Sequence, residues 1–324
     1  MNEALFQNNF FNQQQICEYF GNVQLATDYQ GQIVLVFCNG EIITYQLIQE
    51  NWIRTSILRL IPQTTVIQQI DYNLQLNGNG RRFFLLQVDQ RYEQRIQIWN
   101  RRCNSNWTFQ QSLKLYSHSS FLQINLCGNI IMVNHLKTII LWEYNQLQTK
   151  LNRVQSLQLD ASVAQFNEND SVMAAKVKSH IILSKRLNHL WTKYQSIKVE
   201  QECFMQFFKN RLIVLSIYEL FMYKMDEQFH FQIEKQIISG LFIKEPQQCL
   251  FMGSVIMFLQ PSLEVECWKY ENNVWLKDKN YFTQKFEAHQ IMQSKDNKKL
   301  FIYRKKYGGM VFEKRNEIKE RNKQ

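Results

Sequence analysis

The sequence predicts an all-β chain: a single β-propeller of about seven four-stranded blades over residues 1–316, followed by a short basic tail over 317–324. Three observations lead there. Short apolar segments recur at a nearly constant interval, each is preceded by a second apolar run, and no helical period longer than about two turns competes before the tail.

The recurring segments are Ile42-Ile-Thr-Tyr45, Ile96-Gln-Ile-Trp99, Ile139-Ile-Leu-Trp142, Ile181-Ile-Leu-Ser184, Leu220-Phe-Met-Tyr223, Val265-Glu-Cys-Trp268 and Gly309-Met-Val-Phe312. Their last residues are separated by 54, 43, 42, 39, 45 and 44 positions. A propeller blade takes about 40–45 residues, so five of the six intervals fit. The long first interval implies either a loop near Asn73 to Arg82 or a displaced boundary.

The runs ahead of these segments include Val34-Leu-Val-Phe37, Phe83-Phe-Leu-Leu86, Ile130-Ile-Met-Val133 and Leu212-Ile-Val-Leu215. Turn residues such as Asn39-Gly40 and Pro261-Ser262 separate the two. Near-continuous apolar runs suit strands covered on both faces, as the middle strands of a blade are. After each segment comes a more polar strand with an aromatic near its start, as in Trp52-Ile-Arg, Trp107-Thr-Phe and Trp191-Thr-Lys-Tyr. Alternation there suits an outer strand with one face in water. The numerous Gln and Asn residues read as the solvent-facing positions of strands. The stretch Leu5 to Ile16 resembles the outer strands and is expected to pair as the outer strand of the last blade, because an unpaired blade edge invites aggregation.

At this point the residues resemble the WD40 family. Ile-Gln-Ile-Trp99, Ile-Ile-Leu-Trp142 and Val-Glu-Cys-Trp268 look like its blade-ending strand, while His118 lies 24 residues and Thr138 four residues before Trp142. The resemblance implies structural places for Trp99, His118, Thr138, Trp142 and Trp268 and a binding role for the whole. The motif departs from the family: Asn100 and Glu143 stand where Asp follows Trp, and there is no Gly-His pair. The family's His–Ser/Thr–Asp–Trp hydrogen bonds are therefore not expected, and inter-blade packing of Phe, Ile, Leu and Trp is expected to replace them.

No motif carries chemistry. GxxxxGK[ST], GxGxxG, GxSxG and HExxH are all missing from the sequence. The six histidines lie at no metal-ligand spacing, and His180 and His189 read as hairpin residues. Asp71, Asp89, Asp160 and Asp170 could serve a propeller hydrolase only by converging at one mouth. No catalytic residue, metal ligand or cofactor is expected. The seven cysteines are scattered without a CxxC pair and read as reduced core thiols. The N-terminus has no basic region followed by an apolar one, so a cytoplasmic protein is expected. No apolar run reaches the roughly 20 residues a membrane span needs.

Charge is unevenly placed. The formal net charge is +10. Residues 295–324 hold eleven Lys or Arg against four acids, leaving about three positive charges for the rest. The candidate basic patch is Lys298, Lys299, Arg304, Lys305, Lys306, Lys314, Arg315, Lys319 and Arg321. It reads as a solvated terminus, as a dock for an acidic protein surface, or as a phosphate contact. Smaller clusters, Arg81-Arg82 with Arg101-Arg102 and Lys176, Lys178, Lys185 and Arg186, read mostly as charges facing water. The expected function is a non-catalytic protein–protein interaction scaffold, a monomeric propeller within a larger hetero-complex. An RNA-associated propeller using the basic end is the alternative, and nucleic acid is the less favoured partner.

Overall fold

Two consecutive apolar runs joined by a short turn can bury both faces only in the middle of a sheet, and every described pair of such runs lies there. A computed structural model of the chain describes residues 6–10, 23–38, 40–49, 51–60, 72–88, 94–102, 106–115, 121–145, 150–200, 203–208, 210–216, 219–238, 248–252, 255–259, 262, 264–271, 274–277, 290–294, 296, 299–304 and 308–314. All elements among them are β-strands.

The strands form four-stranded antiparallel sheets, and the chain divides into two compact units, residues 63–245 and the two terminal stretches 1–62 and 246–324. The first of these units holds four blades, each made of four consecutive strands. Blade two comprises Tyr72–Leu76, Arg82–Val88, Gln94–Asn100 and Thr108–Leu115. Blade three comprises Leu122–Ile124, Ile130–His135, Thr138–Asn145 and Lys150–Leu157. Blade four comprises Val163–Phe166, Val172–Val177, His180–Leu187 and Leu190–Lys198, and blade five comprises Cys203–Phe208, Arg211–Ser216, Glu219–Met225 and Phe231–Ile238. Their innermost strands meet in sequence, blade two on three, three on four and four on five.

The other unit holds blade one, with strands Gln24–Thr27, Ile33–Cys38, Glu41–Ile48 and Asn51–Arg59, and blade six, with Gln248–Met252, Val255–Leu259, Val265–Glu271 and Val274–Lys277. Its third sheet is composite. Strands Gln290–Gln293, Lys299–Arg304 and Gly308–Lys314 come from the C-terminal end, and Phe6–Phe10 lies beside Gly308–Lys314 in the register Phe6↔Lys314 to Phe10↔Met310. Its innermost strand meets those of blades one and six. Sequence-contiguous blades therefore number six where about seven were expected, because the seventh recurrence, Gly309 to Phe312, belongs to this composite sheet. The long first interval is not a loop at 73–82, since Tyr72–Leu76 is a strand; the additional residues fall between Arg59 and Tyr72.

The core lies between blades. Phe84, Ile96 and Ile98 of blade two pack with Leu122, Ile131 and Tyr144 of blade three. Met132 and Leu141 of blade three pack with Ala164, Met173 and Trp191 of blade four. Val172 and Leu183 of blade four pack with Met205, Val214 and Phe231 of blade five. In the other unit Trp52 meets Phe301 edge-on at 5.9 Å. Each such buried side chain stabilises by roughly 1.5–3 kcal/mol.

Two devices recur with the blade. The first is a turn joining the innermost strand to the next. Asp28 Oδ1 accepts from the N–H groups of Gln32 (2.7 Å) and Ile33 (3.0 Å). Asn77 Oδ1 does so for Arg81 and Arg82, Asn125 Oδ1 for Asn129 and Ile130, and Asn167 Oδ1 for Ser171 and Val172, all at 2.8–3.0 Å. Three residues on, Gly31, Gly80, Gly128 and Asp170 take positive φ of 62°, 67°, 67° and 58°. An Asx side chain that mimics a backbone turn, followed by a left-handed residue, closes this loop with its donors satisfied.

The second device is a β-bulge. Register shifts fall between Thr44 and Tyr45, Ile98 and Trp99, Leu141 and Trp142, Leu183 and Ser184, and Met222 and Tyr223. The last residue of each recurring sequence segment in blades one to five is thus the residue at which its outer-strand partner gains one position. The inserted residues are Thr55, Gln110, Val154, Tyr194 and Glu234. A bulge bends its strand and re-aims the side chains that follow.

Candidate interaction surface

The bulges aim glutamines at the neighbouring blade. Gln155, just after Val154, donates from Nε2 to Trp191 O (2.8 Å) and accepts at Oε1 from Trp191 N (2.7 Å). Gln195, just after Tyr194, does the same to Phe231, with both distances 2.8 Å. Gln111, just after Gln110, accepts from Leu151 N at 3.0 Å. These glutamines are part-buried links between blades, not solvent-facing strand positions.

The turns are joined as well. Gly78 N donates to Leu126 O at 2.7 Å, and Asp170 accepts from Leu126 N (3.1 Å) and Asn125 Nδ2 (2.9 Å). In the other unit, Asp296 N donates to Tyr29 O at 3.0 Å. Packing alone therefore does not replace the expected family network; amide and carboxylate side chains bonded to main chain share that task.

The blade-signature residues separate. Trp99 stacks on Phe83 (5.9 Å, 10°), and its Nε1 donates to Gln97 Oε1 at 3.1 Å. Thr138 Oγ1 donates to Gln158 Oε1 at 3.3 Å, away from Trp142, which pairs with Ile131 and Arg153. The Trp142 indole N–H is buried and makes no hydrogen bond among the described residues. Trp268 is buried on the third strand of blade six. His118 lies outside the described residues.

The basic residues also divide. Lys299 is buried, and its Nζ donates to Gln30 O and Gly31 O, both at 3.2 Å, so it ties blade one to the composite sheet and does not belong to a surface patch. Arg304 and Lys314 lie on strands paired with Gly308 and Phe6. Lys298, Lys305, Lys306, Arg315, Lys319 and Arg321 lie outside the described residues. In blade two, Arg82 donates to Asn100 Oδ1 (2.8 Å) and Gly128 O (3.0 Å) and sits 3.7 Å above the Tyr144 ring. Burial pulls its pKa down. Arg101 is buried, donates to Gly80 O at 2.9 Å and lies over Trp107. Arg186 bonds Glu143 at 3.0 Å. These three hold blades and turns together, a correction to the reading of their clusters as solvated charge.

Candidate chemistry does not assemble among the described residues. Asp160 is exposed, Asp170 is bonded to Asn125 and Leu126, and Asp71 and Asp89 lie outside the described residues. No group of three His, Cys, Asp or Glu there is placed to hold a metal ion. His180 and His189 sit at exposed hairpin ends, His189 with φ of 68°. Cys38, Cys203 and Cys267 are buried, whereas Cys127 is exposed in its turn, against the reading of all the cysteines as core thiols. Burial pushes the Cys203 thiol pKa up.

What remains outward among the described residues is short hairpin ends. Leu136 is 67% exposed although its φ is +55°, and Lys137 beside it is exposed too. Lys178, at the matching end of blade four, has φ of 51°. A bulky residue at positive φ is uncommon and points to a use. Sequence reading missed these positions and the Asx turns. Their signal was Asx-x-x-Gly at Asp28, Asn77 and Asn125, spaced 49 and 48 residues apart.

No family model matches the chain, and no curated protein matches it. Solved structures do. The β-propeller domain of Cps50 (Swd1) from Myceliophteria thermophila is 10% identical, with a TM-score of 0.64 over 91% of this chain and 99% of that one. A chain of a mitotic checkpoint complex is 9% identical, with a TM-score of 0.61 over 90% of each. The periplasmic gluconolactonase PpgL of Pseudomonas aeruginosa is 12% identical, with a TM-score of 0.57 over 79% of this chain and 83% of that one. At such identities the likeness shows the fold: the chain is a β-propeller with four-stranded blades. No helix among the described residues is long and apolar enough to cross a membrane.

Proposed function

We propose that this chain is a WD40-like propeller that acts as a non-catalytic scaffold, binding other proteins within a larger cytoplasmic complex. One observation carries the reading: buried charged groups such as Arg101 and Lys299 bond the chain's own turns, while the groups turned outward are hairpin ends such as Leu136-Lys137. A rigid ring of loops binds a partner through shape and needs no reactive group. In this reading the composite sheet is the seventh blade, the strand Phe6–Phe10 seals the ring, and the propeller occupies residues 1–316. The basic residues Lys298, Arg304, Lys305, Lys306, Lys314, Arg315, Lys319 and Arg321 supply attraction to an acidic partner surface. Solved propellers from a mitotic checkpoint complex and from Swd1 support a place in an assembly, and the lactonase shows that the fold also hosts enzymes.

The test is purification of the tagged chain from its own cells, with size-exclusion chromatography at low and at raised salt. A scaffold co-elutes with defined proteins, and a packed interface holds as salt rises. Elution alone at the mass of one chain sinks the reading. Recovery of RNA that dissociates steeply with salt favours phosphate binding instead.

A further inference from the structure

The innermost strands of blades two to five share a feature that neither the core nor the inter-blade links use. Gln75, Gln123, Gln165 and Gln206 pair with Phe84, Met132, Ala174 and Ile213 of the adjacent strands. Those residues pair in turn with Ile98, Leu141, Leu183 and Met222, each the last residue before a bulge. The four glutamines therefore occupy one register on four successive blades whose innermost strands touch in order.

Each is half-buried, between apolar neighbours of which Leu74, Leu76, Leu122, Ile124, Ala164 and Met205 are buried. Gln75 Nε2 donates to Asn73 Oδ1 at 3.2 Å. The side-chain amides of Gln123, Gln165 and Gln206 make no hydrogen bond among the described residues. These four strands carry no Asp, Glu, Lys, Arg or His in a chain that is 20% charged.

A row of neutral amides, each offering a donor and an acceptor, matches the peptide group, which presents the same pair. The chain already uses this chemistry, because the amides of Gln155 and Gln195 grip the main chain of Trp191 and Phe231 through both functions. We propose that the innermost strands of blades two to five form a docking row for an uncharged, extended polypeptide segment that crosses the blades in turn, its main chain held by the Gln75, Gln123, Gln165 and Gln206 amides. Neutral strands oppose a charged segment, since they offer no counter-charge for the desolvation that docking demands. The proposal deepens the interaction reading and rests on it.

The test uses the full-length chain and a capped nonapeptide of alternating serine and alanine, followed through the glutamine side-chain NH₂ resonances. Titration is expected to shift those of the four glutamines. Methylating alternate peptide nitrogens, which removes donors, should weaken binding by roughly ten-fold, as should Gln165→Leu alone, since two hydrogen bonds of ordinary net strength are lost. The triple variant Gln123→Leu, Gln165→Leu, Gln206→Leu should abolish the shifts; if it does not fold, the single variant and the methylated peptide decide. No shift at millimolar peptide, equal binding of the methylated peptide, or shifts evoked by a neutral oligosaccharide in its place overturns the proposal. Co-elution of the native chain with partners is read separately, so failure here is distinguishable from failure of the scaffold reading.

Discussion

Gln155 of blade three and Trp191 of blade four are joined by two hydrogen bonds, of 2.8 and 2.7 Å, that run from one side-chain amide to one main-chain peptide unit. The bulge at Val154 makes the contact possible by inserting a residue into the outer strand just before Gln155. Replacing Gln155 by leucine should cost about 1–3 kcal/mol, two ordinary hydrogen bonds. Denaturant unfolding reads this directly, and an unchanged midpoint would show that the link adds nothing. Gln195→Leu should behave alike at Phe231.

Gly128 takes φ of 67°, and a Cβ there would lie 2.4 Å from Asn77 Cβ on the neighbouring blade. Alanine would be strained by its backbone and by the close approach together. A loss of at least about 1–3 kcal/mol is expected, seen as a lowered thermal midpoint. A variant as stable as the parent would mean that the two turns can separate freely.

Ser184 stands where the other described blades place an aromatic residue, and its hydroxyl is buried without a hydrogen bond among the described residues. Removing an unsatisfied buried oxygen should be harmless or favourable, by up to about 1 kcal/mol. Ser184→Ala is the variant to melt, and marked destabilisation would reveal a bond that the hydroxyl makes.

Burial raises the pKa values of the Cys203 thiol and of the Tyr194 and Tyr223 phenols. A folded-state value above the unfolded one favours the protonated form in the native protein. The resulting stability is complete below the ordinary values, about 8.5 for thiol and about 10 for phenol, and declines as pH rises past them. Alkaline unfolding should therefore steepen above about pH 10, and Tyr194→Phe should reduce that slope. A pH profile unaffected by the substitution contradicts the assignment. In the same setting at neutral pH, alkylation mapped by mass spectrometry should label exposed Cys127 and spare buried Cys203 until the chain unfolds.

The blade was legible in the sequence because burial on both faces writes a continuous apolar run, and because the closing residues Tyr45, Trp99, Trp142, Ser184 and Tyr223 mark the bulges. The turns were less legible, since Asp28, Asn77, Asn125 and Asn167 vary in type and Asp170 replaces the glycine that would have exposed the pattern. Gln111, Gln155 and Gln195 read as solvated because a polar residue on an outer strand ordinarily faces water; only the bulge redirects them. Lys299 read as surface charge because sequence alone does not reveal that carbonyls of a blade hundreds of residues away accept from its ammonium group.

One closed propeller is the claim on which the scaffold reading stands, and hydrogen exchange across the composite sheet tests it most directly. If Phe6–Phe10 seals the ring, those of its amides bonded to Gly308–Lys314 should open only with the neighbouring strand Lys299–Arg304, at a shared free energy close to that of global unfolding. Exchange of the 6–10 amides within seconds, while 299–304 stays protected, would contradict it.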